Sequence, residues 1–324
     1  MLGIDDPQIL AGFEAARERP VTLRANTLKA SAETVADELE EAGIPYERAP
    51  WYEDAFVLGA NVRERDIWEL ALYQEGRVYL QSLSSMLPPL ALCPRAGADI
   101  LDMCAAPGGK TSQIAALACG AAHLTACEMN APRAEKLTYN LRKLGAENVN
   151  VMRCDARRLD EFFRFDQILL DAPCTGTGTY RAGDERAAAR MTEQLLARVT
   201  HSQAALLDRA LTVLKPGGAL VYSTCSVLAK ENEEQVARAL KRHRDCAIAP
   251  LQLGNAGTDE AHGNNPNGEA NGKSSPPPVV LPHALKGAYA IPALENQLPG
   301  TLTVAPTRAF EGFFVAVIQK SPFA

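Results

Sequence analysis

Two cysteines follow predicted buried strands, each in polar, turn-forming sequence. Cys174 ends Asp-Ala-Pro-Cys after the apolar run 168–170, and Cys225 ends Ser-Thr-Cys after the apolar run 220–222. If the two strands are neighbours in one sheet, both thiols open into the same cleft. A thiolate is a strong nucleophile where its surroundings lower the thiol pKa. The pattern therefore indicates covalent catalysis by a cysteine.

The other cysteines and the histidines predict no such chemistry. The eight cysteines show no Cys-x-x-Cys spacing, and the five histidines show no metal-ligand spacing. We expect no metal site and no disulfide framework, which favours a reducing cytoplasm. Five cysteines are expected to be small buried apolar residues: Cys93, Cys119, Cys127, Cys154 and Cys246.

Residues 99–111 predict a buried strand, a tight turn at 107–109 and the start of a helix. In an open α/β sheet an adenosine-containing cofactor binds at such a turn, because glycine lets the backbone come close and the helix start offers unpaired N–H groups. The ending Gly-Gly-Lys-Thr also suggests a phosphate loop, which requires glycine where Cys104 stands. An ATPase that uses residues 108–111 with Asp171 is therefore the weaker interpretation.

Three acidic residues accompany three successive predicted strands. Asp102 lies in the first strand, Glu128 ends the second and Asp155 ends the third. Glu128 follows the Gly-rich turn by about 20 residues, the spacing at which a carboxylate binds the ribose of such cofactors. Asp155, one strand further, is placed to reach the adenine amino group. Three acids in register with the turn favour a ligand site, because buried polar groups need partners.

The composition excludes some classes of protein and argues against others. Of 324 residues, 47% are hydrophobic and 22% charged, as in an ordinary globular protein. We find no secretion signal and no long apolar run, so we expect the chain to be neither exported nor membrane-spanning. A net charge of −6 is not typical of nucleic-acid-binding proteins, which usually have a basic surface. Any RNA contact must therefore come from a local basic surface.

The order of predicted elements divides the chain in two. Residues 1–80 predict a small α+β unit, and residues 81–324 predict a parallel, doubly wound sheet with a flexible insertion at about 253–278. The first unit should contain the strands Val21–Asn26, Tyr46–Leu58 and Arg77–Leu80 and the helices Ser31–Ala42 and Val62–Tyr73. Four of its basic residues are placed to meet phosphate, although solvated charges are the simpler interpretation: Arg24, Lys29, Arg48 and Arg63.

The second unit should contain seven strands. A long helix at 191–214, closed by Lys-Pro-Gly-Gly, precedes the fifth strand. The predicted strands are 100–103, His123–Glu128, Val149–Cys154, Phe165–Leu170, Ala219–Thr224, Leu302–Ala305 and Gly312–Ile318. Strands separated by helices imply right-handed parallel crossovers.

Three motifs in one order closely resemble a known family. They are Asp-Met-Cys-Ala-Ala-Pro-Gly-Gly-Lys-Thr at 102–111, Asp-Ala-Pro-Cys-Thr-Gly-Thr-Gly at 171–178, and Tyr-Ser-Thr-Cys-Ser at 222–226 followed by Glu-Asn-Glu at 231–233. They are similar to the RNA cytosine-5 methyltransferases of the NOL1/NOP2/Sun family, and in particular to the bacterial ribosomal RNA members. Flanking segments at 24–29, 81–86 and 311–315 look like further signatures of that family.

The resemblance implies a fold and a cofactor. The fold would be the Rossmann-like S-adenosylmethionine-dependent methyltransferase sheet of seven strands, the last antiparallel, preceded by a small RNA-recognition-like α+β unit. The cofactor would be S-adenosylmethionine, with Glu128 on the ribose, Asp155 on the adenine and Asp171 bordering the methyl donor. The implied contacts come from the Gly-rich motif and from strand-end residues: Cys104, Ala105, Ala106, Pro107, Gly108, Gly109, Lys110, Glu128, Arg133, Asp155 and Asp171.

The resemblance also implies a reaction. Cys225 would be the nucleophile that adds to carbon 6 of cytosine, and Cys174 would assist product release. Asp171 would stabilise the charge that develops, Lys110 would orient the base, and the base must leave its stack. The partner would be ribosomal RNA or, as the second candidate, transfer RNA. We expect the protein to be a cytoplasmic monomer that binds neither a metal ion nor a membrane. The alternative from another class is an RNA-binding ribosome assembly factor whose methylation is dispensable.

Two segments depart from the family pattern. Residues 180–191 are rich in alanine and arginine where relatives often have an aromatic residue, and Glu311 stands where aspartate is common. In that segment Arg181, Arg186 and Arg190 offer contacts for RNA phosphates.

Overall fold

The computed structural model describes residues 2–254, 276–281, 289–295 and 297–323. The predicted insertion at 253–278 falls mostly on residues outside this part of the chain. None of the described helices is long and apolar enough to cross a membrane. Along the chain, the described helices and strands are α1 (Pro7–Ala15), β1 (Thr22–Ala25), α2 (Ala32–Glu41), β2 (Tyr46–Arg48), β3 (Ala55–Leu58), α3 (Glu64–Trp68), α4 (Ala71–Gln74), β4 (Val78–Leu80), α5 (Leu83–Leu92), β5 (Asp99–Asp102), α6 (Gly109–Leu117), β6 (His123–Cys127), α7 (Ala131–Lys143), β7 (Val149–Met152), β8 (Phe165–Asp171), α8 (Glu185–Arg190), α9 (Glu193–Val213), β9 (Leu214–Thr224), α10 (Glu233–Arg242), β10 (Cys246–Ile248), β11 (Leu251–Leu253), β12 (Val279–Leu281), β13 (Ala293–Leu294), β14 (Leu302–Val304) and β15 (Phe313–Lys320).

The N-terminal unit is a four-stranded antiparallel sheet in the order β2-β3-β1-β4. The prediction of one strand over 46–58 is wrong, because the Ala49 N–H donates to the Ala55 carbonyl and closes a hairpin between β2 and β3. The single helix predicted over 62–73 is also wrong. It is two short helices, α3 and α4, separated by an extended residue at Leu70.

The large sheet confirms the predicted doubly wound fold. Its strand order is β13-β14-β15-β9-β8-β5-β6-β7, with β10 added to β15. Strands β7, β6, β5, β8 and β9 are parallel, and β15 is antiparallel to β9. The seven predicted strands are present, and the two short strands β10 and β13 extend the sheet. The predicted long helix is present as α9, which ends at Val213 just before the predicted stop at 215–218. The strand β9 begins at Leu214, earlier than predicted, so the stop residues belong to that strand.

The sheet is covered by apolar side chains on both faces, as a parallel sheet requires. Alternate residues of each strand point to opposite layers. Ile100, Leu169 and Val221 pack with α5 and α6, whereas Leu101 and Leu170 pack with α9. Strand order reverses between β5 and β8, so a crevice opens at their carboxyl ends, which is where ligands bind in this architecture.

Polar side chains fasten the small unit onto the large one. Asn26 Nδ2 donates to the carbonyls of Gly76 and Leu144 at 2.7 Å each, and Lys29 Nζ donates to the Lys143 carbonyl at 2.7 Å. The Lys143 and Leu144 carbonyls lie at the C-terminal end of α7, where a cation also complements the helix dipole.

Arg24 makes a second connection between the units. It is fully buried and donates to the side chains of Gln81 and Ser112, the latter at the start of α6. Both interpretations of Arg24 as a phosphate contact or a solvated charge are therefore wrong. The Arg24 side chain links the end of β4, through Gln81, to α6, through Ser112. This link holds β4 next to the crevice.

At Gly76 the small unit lies directly against the end of α7, with no room for a side chain. Gly76 has φ +72°, and a Cβ there would lie 2.2 Å from the Lys143 carbonyl oxygen. We expect Gly76→Ala to lower the free energy of unfolding in urea by about 3 kcal/mol, from backbone strain plus displacement of α7. Gly43→Ala is the matched control, because Gly43 has φ +67° with nothing within 4 Å. It should lose about 1 kcal/mol, and equal losses would contradict the tight contact.

Candidate active site

The two singled-out thiols lie side by side. Strands β8 and β9 are parallel neighbours with Asp171 opposite Ser223. Their chain continuations place Cys174 Sγ 3.2 Å from Cys225 Sγ. Both residues are half-buried at the crevice. The sequence predicts a shared cleft for the two thiols if their strands are neighbours, and in the structure the strands are neighbours.

A lysine–aspartate pair lies beside the thiols. Lys110 Nζ donates to Asp171 Oδ2 at 2.7 Å, and the Ser223 hydroxyl donates to Asp171 Oδ1 at 2.7 Å. The Lys110 ammonium also lies 5.6 Å from the ring centroid of Phe313. Burial lowers the pKa of Lys110, but the Asp171 carboxylate more than offsets this, so the pKa is raised and the ammonium stays charged.

The Gly-rich turn is shaped by a buried acid and by glycine. Asp102 accepts from Thr111 Oγ1 at 2.7 Å and from the Cys104 N–H at 3.3 Å, which holds strand, turn and helix together. Gly108 has φ +107°, and a Cβ on Gly109 would lie 2.6 Å from the Tyr79 ring. Only glycine fits both positions, so the turn offers bare backbone to the crevice.

A first cavity of about 340 Å³ opens beyond this turn. Glu128 accepts from the Asn130 N–H at 2.8 Å and pairs with Arg133 at 3.2 Å. The Arg157 guanidinium donates to both carboxylate oxygens of Asp155, with Nη2 2.7 Å from Oδ2. Six of the predicted cofactor residues line this cavity: Cys104, Ala106, Glu128, Arg133, Asp155 and Asp171. Ala105, Pro107, Gly109 and Lys110 line an adjoining second cavity instead, and Gly108 lines neither. The rest of the first cavity's lining is Met103, Cys127, Met129, Cys154, Ala156, Arg157, Ala172, Pro173, Cys174, Ser202, Leu206 and Cys225.

These donors and acceptors fit an adenosine-containing cofactor. The cavity has the size typical of ligand sites and is mainly apolar, with two carboxylates fixed by arginines. Arg133 Nη2 also donates to the Ala106 carbonyl at 3.0 Å and so ties Glu128 to the turn. Sequence reasoning missed Arg157, although an arginine two residues after a strand-end acid is a recognisable signal.

A second cavity of about 330 Å³ adjoins the first. The two share Cys104, Ala106, Asp171 and Cys225, so these residues form a common wall. The rest of the second lining combines aromatic rings with polar groups, an arrangement that suits a planar nucleobase: Tyr79, Leu80, Gln81, Ser82, Ser85, Asp102, Ala105, Pro107, Gly109, Lys110, Thr179, Glu311 and Phe313. Sequence reasoning gave no role to Tyr79, which the N-terminal unit contributes.

Of the five other cysteines predicted to be buried, two are buried, Cys154 is half-buried and two are exposed. Cys127 and Cys246 are buried as predicted, and Cys127 Sγ lies 3.6 Å from Cys154 Sγ in the first cavity. The prediction of burial is wrong for Cys93 and Cys119, which are exposed at helix ends with φ +46° and +51°. Within the described ranges, no three His, Cys, Asp or Glu side chains form a group that could hold a metal ion.

The arginine-rich segment after 179 is held by the N-terminal helix. The Tyr180 ring packs edge-on against Phe13 with centroids 5.2 Å apart, and the Ala182 N–H donates to the Phe13 carbonyl at 3.0 Å. Arg181, Arg186 and Arg190 are exposed, and they follow Thr179 of the second cavity in the chain. They remain candidates for phosphate contacts. Glu311, in the same region, accepts from the Ser82 hydroxyl at 2.7 Å.

Comparisons with known families agree with this architecture. The family model described as 16S rRNA methyltransferase RsmB/F matches residues 89–319, and the ferredoxin-like domain of RsmF/B-like methyltransferases matches residues 9–63. Ribosomal RNA small subunit methyltransferase F of Vibrio atlanticus is 38% identical over 239 residues, covering 72% of this chain and 50% of the relative. The corresponding Vibrio cholerae protein is 36% identical over 258 residues, covering 78% and 54%. The chain spans about half the length of these curated relatives.

Solved structures show the same fold. A methyltransferase homologue from Pyrococcus horikoshii superposes with a TM-score of 0.71 at 32% identity, covering 97% of this chain and 90% of that protein. NSun6 from Pyrococcus horikoshii with SFG superposes with a TM-score of 0.70 at 21% identity, covering 97% and 93%. At that identity the second likeness shows the fold alone.

The buried Asp102 predicts a measurable pH dependence. Burial raises its pKa to about 6 from the usual value of 3.8, so the folded state favours the protonated acid. The stabilisation is fully present below the unfolded pKa and is lost as pH rises through the folded one. Asp102→Asn has no acid to titrate at this position. Relative to that variant, the unfolding free energy of the wild type should fall by about 2 kcal/mol between pH 4 and pH 7.

Urea titrations of both proteins at each pH measure this difference. The ordinary acid titrations of the other carboxylates are common to the two proteins and cancel. A difference in unfolding free energy that stays constant from pH 4 to pH 7 would contradict a raised Asp102 pKa.

Proposed function

Because this chain belongs to the 16S rRNA methyltransferase RsmB/F family, whose members depend on S-adenosylmethionine, we propose that it forms 5-methylcytosine in ribosomal RNA through a Cys225 adduct. The observation that carries the proposal is a pair of thiols 3.2 Å apart, one of them in the wall that two cavities share. Transfer RNA is the second candidate substrate. The reaction takes place in the cytoplasm, where either RNA is found; that the chain acts as a monomer stays a prediction.

The first cavity is assigned to the cofactor. When bound, S-adenosylmethionine supplies a methyl group on a positively charged sulfur. Glu128 would bind the ribose hydroxyls and Asp155 the adenine amino group, since both carboxylates line the cavity. The turn at 104–110 would enclose the remaining atoms, and Asp171 would border the methyl group from the shared wall. Arg133 keeps Glu128 in place.

The second cavity is assigned to the target cytosine, flipped out of its stack. The Cys225 thiolate forms a bond to carbon 6, and the electrons of the carbon 5–carbon 6 double bond move into the ring toward its nitrogen. Asp171 and Lys110, which are paired with each other, would stabilise the charge that develops there and orient the base. The addition of Cys225 makes carbon 5 nucleophilic. Carbon 5 can then accept the methyl group from a donor on the other side of the shared wall.

Release restores the ring. The proton on carbon 5 passes to solvent water, its electron pair rebuilds the carbon 5–carbon 6 double bond, and the bond from carbon 6 to sulfur breaks. Cys225 leaves as a thiolate, and the neighbouring Cys174 assists this departure. The products are 5-methylcytosine in RNA and the demethylated cofactor.

RNA contact must come from local surfaces, because the whole chain carries a net charge of −6. The exposed Arg181, Arg186 and Arg190 and the N-terminal unit, whose Tyr79 lines the second cavity, would supply such surfaces.

The experiment uses Cys174→Ala with S-adenosylmethionine and total RNA from a strain lacking the gene. We expect a slower, nuclease-sensitive protein band on a denaturing gel, because the adduct forms but is not released. Cys174→Ala combined with Cys225→Ala is the control and should give no such band. Sequencing the trapped RNA distinguishes ribosomal from transfer RNA.

Transfer of tritiated methyl groups by the same proteins decides between the functions. Methylation undiminished in Cys225→Ala would contradict the covalent mechanism. Rescue of the deletion strain by Cys225→Ala, with RNA bound but not methylated, would favour the assembly factor. Nucleotide hydrolysis without S-adenosylmethionine binding would favour the ATPase, which the family match does not support.

A further inference from the structure

The carboxylate of Glu231 joins the two cysteine-bearing loops. Its Oε1 accepts from the Thr175 backbone N–H at 2.8 Å, and its Oε2 accepts from the hydroxyls of Thr175 and Ser226. Thr175 directly follows Cys174, and Ser226 directly follows Cys225. One fully buried side chain therefore holds the loops on both sides of the sulfur pair.

Neighbouring groups make this junction rigid. Gln203 Nε2 donates to Glu231 Oε1 at 3.1 Å and to the Pro173 carbonyl at 2.9 Å. The Tyr222 hydroxyl donates to the Glu231 carbonyl at 2.6 Å, so α9 and β9 both contribute. The next residue, Asn232, donates to the Ser226 carbonyl at 2.9 Å.

The negative charge is not needed for this geometry. No lysine, arginine or histidine of the described ranges forms an ion pair with Glu231, and a buried carboxylate without a counter-charge costs free energy. The Thr175 and Ser226 hydroxyls can rotate to accept from an amide just as they now donate to the carboxylate. A glutamine at position 231 would therefore hold the two loops equally well. The negative charge of Glu231 must then have another role.

The negative charge of Glu231 favours the protonated form of the Cys174 thiol. Its hydrogen bond with Cys225, its burial and the negative charges of Glu231 and Asp171 raise the pKa of the Cys174 thiol well above its usual value. On the other side of the pair, Cys225 lies close enough to Lys110 to help raise the pKa of that lysine. The charge distribution therefore favours a proton on the Cys174 sulfur.

The groups that surround Cys174 come from several elements. Asp171 lies on β8, Tyr222 and Cys225 on or just after β9, Glu231 ahead of α10 and Lys110 on α6. Further titratable or charged groups line the first cavity: Cys104, Cys127, Glu128, Arg133, Cys154, Asp155 and Arg157.

We propose that Glu231 is the positioning residue of the cysteine pair: it fixes both loops and, by its charge, keeps Cys174 as the thiol that donates a hydrogen bond to Cys225. The inference rests on the proposed function and deepens it. The donor stabilises the Cys225 thiolate before attack and again as it leaves carbon 6. The Cys174 proton stays on its sulfur throughout, so no bond is made or broken there.

The test compares Glu231→Gln and Glu231→Ala in methyl transfer to ribosomal RNA from the deletion strain. Glu231→Gln keeps the geometry and removes the charge. We expect its loss of kcat at high pH to begin about one pH unit lower than in wild type, with KM for RNA unchanged. Glu231→Ala also removes the junction, so kcat should fall about a hundredfold at every pH.

Binding of S-adenosylmethionine, measured by calorimetry, should be unchanged in both variants and shows that they are folded. Glu233→Gln is the matched control. Glu233 is also buried, but its carboxylate accepts from Thr303 at 3.2 Å, away from the cysteine loops. We expect this control to keep the wild-type pH profile.

A Glu231→Gln profile that coincides with wild type, or that shifts no more than Glu233→Gln, would overturn the inference. If the wild-type protein transfers no methyl group in the same assay, the proposed function fails instead. The two failures are thus distinguishable in one set of measurements.

Discussion

The parallel pairing of β8 with β9 is the contact on which the candidate site depends. It places Asp171 opposite Ser223, whose hydroxyl donates to that carboxylate at 2.7 Å. A slip by one residue would turn each side chain to the other face and separate Cys174 from Cys225. The register is set by apolar residues buried on both faces of the sheet, so the site's geometry is stabilised by the core rather than by its own polar contacts.

In the proposed reaction, each of the two reactants would have its own cavity. Cys225 and Asp171 stand in the wall between the two, so a methyl donor in one and a nucleobase in the other would meet there. Holding both reactants in place removes much of the entropic barrier to their reaction. The N-terminal unit takes part directly, because Tyr79 lines the second cavity and Asn26 anchors that unit to α7.

The sequence predicts the fold and most of the site because the chemistry is carried by local motifs. Strand-end acids, the Gly-rich turn and the two strand-end cysteines are visible from apolar runs followed by polar residues. Contacts between distant segments are not visible in this way. The burial of Arg24 depends on Gln81 and Ser112, and the hairpin within 46–58 depends on one backbone bond between Ala49 and Ala55. The junction at Glu231 likewise needs three segments to meet.

RNA that contains 5-fluorocytidine tests the central claim most directly, because fluorine at carbon 5 does not leave as a proton does. Wild-type protein would be incubated with such ribosomal RNA and S-adenosylmethionine, digested with protease and nuclease, and mapped by mass spectrometry. The account predicts a methylated fluorocytosine nucleotide bonded to the peptide that contains Cys225. An adduct on Cys174, or no adduct although unmodified RNA is methylated under the same conditions, would contradict it.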